Sequence, residues 1–142
     1  MMKITSMSQM WALLDTYTLD GNGNERAVNH LNEWGGYSRK LGMPVFTAWA
    51  DLLAYDKTAK TTKALVLNSE WKSAVGVNNQ NRWLAHAEQH NQGIAAFFVI
   101  TAMDEAAEVR KVDYIDDDKV FVGGIVREGV ETYIVGQPRP IA

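Results

Sequence analysis

The side chains best spaced for chemistry are those of His86-Ala87-Glu88-Gln89-His90. Residues four apart share one face of a helix, so the two imidazoles would stand one turn apart, the separation at which a helix offers two ligands to a metal. The order differs from that of the zinc proteases, where glutamate directly follows the first histidine. A catalytic zinc also needs a third protein ligand, and the only other histidine is His30. Spacing nominates no acid to complete the set, so the pair reads as two solvated or hydrogen-bonded imidazoles and no metal is expected. Asp116-Asp117-Asp118 lacks the glycine turn and distant carboxylate of a calcium loop and reads as a solubilising turn. No serine sits in a nucleophile elbow, and neither Gly123-Gly124 nor any other glycine pair opens a phosphate loop. No catalytic residue or cofactor is indicated, which favours a binding protein over an enzyme.

The segment from Trp71 to Trp83 is richer. It holds two indoles, the cations Lys72 and Arg82, and four side-chain amides between Asn78 and Asn81. Indole faces stack on bases, amides pair with base edges and cations meet phosphates. Trp71, Lys72, Asn79, Arg82 and Trp83 are therefore the candidate site for a nucleic acid or another ligand. The same residues also suit a helix start, with Asn78 or Asn79 as cap and Trp83 directed into the core.

Composition bounds what these residues can belong to. A chain of 142 residues, 46% hydrophobic and 22% charged, is long enough for one domain with a real core. Five tryptophans, five tyrosines and four phenylalanines must fill much of that core or line a pocket in it. The absence of cysteine excludes disulfides, thiolate metal sites and a cysteine nucleophile, and is compatible with a reducing cytosol. No apolar run approaches the roughly 20 residues needed to span a bilayer, and the N-terminus lacks the apolar stretch of a signal peptide. A cytoplasmic protein without membrane attachment is expected. The net charge of −3 is uneven. Residues 1–100 carry 9 basic and 8 acidic side chains, residues 101–142 carry 5 and 9, and residues 57–82 carry five basic ones against Glu70 alone. Such a local basic stretch can act on its own, since charges beyond about 8 Å are screened at physiological salt.

The elements that must position these groups follow from apolar spacing. Met10, Trp11, Leu13, Leu14 and Tyr17 predict a helix capped by Ser6 or Ser8. Ala27, Val28, Leu31, Trp34 and Leu41 predict a second, weakened at Gly35-Gly36, and Pro44 opens a third with Phe46, Trp49, Leu52 and Leu53 as its buried stripe. After residue 56 the pattern becomes strand-like: 64–67, the apolar run 95–102, and a meander of 110–115, 119–126 and 131–135, with a helix over 79–91 and a helical turn at 104–109. Gln137-Pro138-Arg139-Pro140 is expected to leave the sheet. The expectation is a single α+β domain over 1–142: N-terminal helices in 1–56, then a mostly antiparallel, curved sheet with one inserted helix in 57–142.

Residues 64–128, with the strand Ala64–Leu67, the stretch Gly76-Val77-Asn78-Asn79, a helix, Phe97-Phe98-Val99-Ile100 and Phe121-Val122-Gly123-Gly124-Ile125-Val126, resemble the PUA-like superfamily, in particular its EVE-type modified-base readers. That family has tryptophan two residues before its Gly-Val; here Ala74 stands there and Trp71 is displaced. The resemblance implies a pocket for a flipped base involving Trp71, Asn79 and Trp83. The order of helices followed by a curved sheet is also similar to the NTF2-like fold, which implies a cavity for a small apolar ligand, with Tyr17, Trp49, Asp51 or His86 available for acid/base work. A third reading is an interaction module acting through a protein partner or homodimer.

Overall fold

In the computed structural model, which describes residues 6–29 and 33–141, one sheet runs through most of the chain. His30 and Leu31 lie outside the described residues. The elements in order are helix α1 (Met7–Leu13), strands β1 (Thr16–Leu19), β2 (Glu25–Arg26), β3 (Gly35–Ser38) and β4 (Met43–Trp49), a 3-10 turn at Ala50–Leu52, strands β5 (Leu53–Asp56) and β6 (Thr61–Asn68), helix α2 (Ala74–His90), and strands β7 (Ile94–Ala102), β8 (Val112–Ile115), β9 (Lys119–Glu128) and β10 (Glu131–Pro140). The sheet is open and curved, in the order β2-β1-β3-β4-β7-β9-β10-β6-β5, with β8 beside β7. All described pairings are antiparallel except β4 with β7, where Val45 lies opposite Ala96 and Trp49 opposite Ile100.

The α+β class and the curved, mostly antiparallel sheet agree with expectation; the run of N-terminal helices does not. Among the described residues of 1–56 the one α-helix is α1, capped by Ser6, whose hydroxyl accepts from the Gln9 N–H while the Gln9 side chain accepts from the Ser6 N–H. The helix expected to start at Pro44 is the central strand β4. Its side chains enter cores on both faces of the sheet, Phe46 and Ala48 on one and Val45 on the other, and a strand apolar on both faces is easily mistaken for a helical stripe. The helix expected across Gly35-Gly36 is replaced there by β3. A Cβ on Gly35 would stand 2.5 Å from the Phe46 ring, and one on Gly36 2.5 Å from the Tyr17 carbonyl oxygen, so the two glycines allow close packing.

The two helices cover opposite faces. Trp83, Leu84 and Ala87 of α2 pack with Ala95, Phe97 and Phe121, whereas Met10, Trp11 and Leu14 meet Ala96, Phe98 and Ile100. The apolar run of β7 thus supplies both cores by simple alternation. The meander is altered, because β8 pairs with β7 instead of β9. The Gln137–Pro140 stretch stays in the sheet opposite 119–122. Pairing of β10 with β6 ends at Gly136, so beyond it the strand has one neighbour and an open side where a missing N–H costs nothing. No helix among the described residues is long and apolar enough to cross a membrane.

Candidate functional site

Helix α2 begins at Ala74, five residues before the expected start. Its cap is Ser73, whose hydroxyl accepts from the Gly76 N–H at 3.2 Å, and not Asn78 or Asn79. This start separates the residues of the Trp71–Trp83 segment. Trp83 is 2% exposed and its Nε1 donates to Thr18 Oγ1 at 2.9 Å. Asn79 is also buried; its Oδ1 accepts from the Thr18 hydroxyl at 2.7 Å and its Nδ2 donates to the Gly35 carbonyl at 2.8 Å. Both residues are hydrogen-bonded within the fold. Arg82 donates to the Leu19 carbonyl at 2.8 Å, beside a different recess. Of the five, Arg82 and Trp83 line that smaller recess, whereas Trp71 and Lys72 line the larger cavity.

That cavity has a volume of about 650 Å³ and lies between β4, β6, β7, the connector into α2 and the loop from β7 to β8. Three of the five tryptophans line it: Trp34, Trp49 and Trp71. Trp34 and Trp71 meet edge to face with centroids 5.3 Å apart. The Trp34 carbonyl accepts from the Thr47 N–H at 2.9 Å, which ties it to β4, and its indole lies over Gly76, where an added Cβ would come within 2.3 Å of the ring. Trp49 projects from the same face of β4 as Thr47, two residues away. The Arg110 guanidinium lies 5.2 Å from the Trp49 ring centroid and makes a bidentate pair with Asp51 at 2.7 and 2.8 Å. Those hydrogen bonds hold the Asp51 carboxyl below its ordinary range and leave it acceptor-only.

Glu33 also lines the cavity, with its side chain 3% exposed. Burial alone would raise its carboxyl, but two hydrogen bonds from Arg26, at 2.7 and 2.6 Å, and one from the Asn29 N–H at 2.8 Å outweigh burial and depress it. At the mouth Lys72 and Glu108 stand 3.3 Å apart, both highly exposed. An exposed pair of this kind is worth about 0–1 kcal/mol, so the Lys72 ammonium is readily given to another anion.

A smaller recess of about 240 Å³ lies across α2, lined by Tyr17, Leu19, Arg82, Trp83, His86 and His90 among others. The two imidazoles do lie together, with centroids 4.8 Å apart. Burial, and then the neighbouring His90 charge, lower the His86 pKa, and its buried Nδ1 has no hydrogen-bond partner. Among the described residues no group of three or more histidine, aspartate or glutamate side chains is placed to hold a metal. The four acid/base candidates are divided, Trp49 beside Asp51 near the large cavity and Tyr17 beside His86 at the small one.

Trp34, Glu33 and Arg110 were missed as site residues by sequence reasoning. The one signal was the surplus of tryptophan, which called for a pocket without saying which indoles would line it. The fold and site together define an α+β protein with an indole-lined cavity on a curved sheet. No protein-family model, curated protein or solved structure matches the chain.

Proposed function

We propose that the protein is a small binding module, not an enzyme, whose cavity takes a flat, largely apolar ligand between the indoles. The observation that carries this reading is the placement of Trp34, Trp49 and Trp71 on one cavity of about 650 Å³. That volume falls within the roughly 300–1,000 Å³ of small-molecule sites. Indole faces bind flat rings by stacking, and the charged groups around them are already paired, Arg110 with Asp51 and Glu33 with Arg26. Paired charges suit a neutral ligand better than a polyanion. Tryptophan fluorescence and thermal shift against free nucleosides and other flat aromatic metabolites test the reading. Saturable quenching is expected for at least one class, weakened in Trp71→Ala and Trp49→Ala; no quenching across the panel would refute it.

A second reading is favoured by Lys72, whose exposed ammonium stands next to Trp71 at the mouth. The ligand is then a base turned out of a nucleic-acid strand, with Lys72 meeting the adjoining phosphate. The residues supporting it are Trp71 and Lys72, since Asn79 and Trp83 are buried and Arg82 lies elsewhere. A gel shift at about 50 mM salt, lost in Lys72→Ala, is its expected signature. Equal affinity for a free nucleoside and for the same base in an oligonucleotide, at every salt concentration, would exclude it.

A further inference from the structure

Residues 104–110, between β7 and β8, form neither helix nor strand, and the neck of this loop is closed by the Met103 N–H donating to the Lys111 carbonyl at 3.0 Å. Four consecutive residues, Ala107 to Arg110, line the indole cavity. The loop therefore forms part of the cavity wall, although the sequence suggested only a helical turn there.

What holds it in place is charge. Val109, its largest apolar side chain, is 81% exposed, so burial contributes little. Arg110 pairs with Asp51 in the 3-10 turn after β4, and Glu108 pairs with Lys72 on the connector into α2. The Arg110 side chain also donates to the Glu105 carbonyl at 2.9 Å, which stiffens the loop internally. A segment with closed ends, little buried apolar surface and two ionic attachments to neighbouring elements belongs to the least stable part of a fold, where local opening precedes unfolding.

We propose that residues 104–110 are a hinged strap that opens and closes the indole-lined cavity, with the Arg110–Asp51 pair as its principal latch and Lys72–Glu108 as a secondary one. The strap swings at its neck, by the ends of β7 and β8, while the strands behind it stay paired. Opening exposes Trp49 and Thr47; closing returns Arg110 to the Trp49 face. The proposal concerns access to the cavity whatever occupies it.

The chain has no cysteine, so a single introduced thiol reports on opening without interference. Thr47→Cys places it on the cavity wall, Ser69→Cys on the exposed surface, and Ala87→Cys in the core beneath α2. Labelling by a soluble thiol reagent is read for each, without any ligand. The Thr47→Cys thiol is expected to react more slowly than Ser69→Cys and to speed up about tenfold when Asp51→Ala is added, a factor in keeping with the loss of charge-assisted hydrogen bonds. Ala87→Cys is expected to keep its rate. If Thr47→Cys already reacts as fast as Ser69→Cys, or does not respond to Asp51→Ala, the strap is no gate. If Ala87→Cys accelerates to the same extent, the opening is global and the proposal also fails. Should Asp51→Ala not fold by circular dichroism, the parent Thr47→Cys protein decides alone. Both latches are ionic, so its labelling must quicken as salt is raised to about 1 M, and a flat response overturns the proposal. Failure here leaves the binding reading separately testable, because no ligand enters the experiment.

Discussion

The indole Nε1 of Trp83 donates to the hydroxyl oxygen of Thr18 at 2.9 Å, joining the middle of α2 to strand β1 beneath it. The same hydroxyl donates to Asn79 Oδ1 at 2.7 Å, and the Asn79 amide continues to the Gly35 carbonyl. A buried donor chain with each of these groups satisfied fixes the position of a helix on a sheet, and it is costly to interrupt.

Thr18→Val keeps the volume of the side chain but removes both of its hydrogen bonds. The Trp83 N–H and Asn79 Oδ1 are then left unpaired, each costing about 1–3 kcal/mol. A loss of roughly 2–6 kcal/mol in urea unfolding is expected on that basis. If the two midpoints coincide, the network carries no energy.

The tryptophans divide by role. Trp83→Ala empties a fully packed site and should cost about 3–5 kcal/mol, a large share of the roughly 5–15 kcal/mol that holds a domain folded. Trp71→Ala, on a partly exposed wall residue, should leave the fold intact and weaken ligand quenching. Unfolding of both variants to the same degree would remove the distinction between core and cavity indoles.

Gly76→Ala sets two effects against each other. Alanine gains about 1 kcal/mol over glycine within a helix. The new methyl would nonetheless stand 2.3 to 2.6 Å from three carbons of the Trp34 ring, and overpacking of this kind costs about 1–3 kcal/mol. The expected result is net destabilisation, together with weaker ligand binding as Trp34 is pushed off α2. A more stable variant with unchanged binding would show that Trp34 yields freely.

Gly123 and Gly124 are adjacent in β9 but not equivalent. A Cβ on Gly123 would lie 1.8 Å from the Val135 carbonyl oxygen of β10, which is backbone and has nowhere to go, whereas one on Gly124 meets no atom within 4 Å. Gly123→Ala should abolish cooperative folding. Gly124→Ala should change the thermal midpoint little, and comparable loss in both would contradict the close approach of β9 and β10.

His86 gives the fold an acid limb. Its pKa in the folded protein is lowered by burial and by His90, while in the unfolded chain it returns to about 6.5. As pH falls below that value the unfolded state takes up the proton first, so stability declines until the folded pKa is passed and then levels off. His86→Gln should flatten stability between pH 6.5 and the folded value. An unchanged slope in urea titrations over that interval would assign the acid sensitivity to other groups.

Local signals were legible where local physics decides. Ser6 and Gln9 make a capping box that needs no tertiary partner, and α1 follows them. The alternation that lets β7 feed two cores is written in residues 95–100. What misled was the region from Ala27 to Leu53. Its apolar residues fit a helical period, but burial on both faces of a central strand explains the β4 part of that pattern equally well.

From the sequence alone followed that no thiol chemistry is open to this chain, together with a tryptophan surplus that had to be buried or gathered. Residue types and short spacings are enough for that, because they bound which groups exist. Only the tertiary structure decided which indoles became core and which became wall. Trp34, Trp49 and Trp71 are brought together by the parallel pairing of β4 with β7, the seating of the Trp34 indole on Gly76 of α2 and the crossing of the 104–110 strap. Each of those is a contact between distant parts of the chain, and its energy appears only once the sheet has brought those parts together.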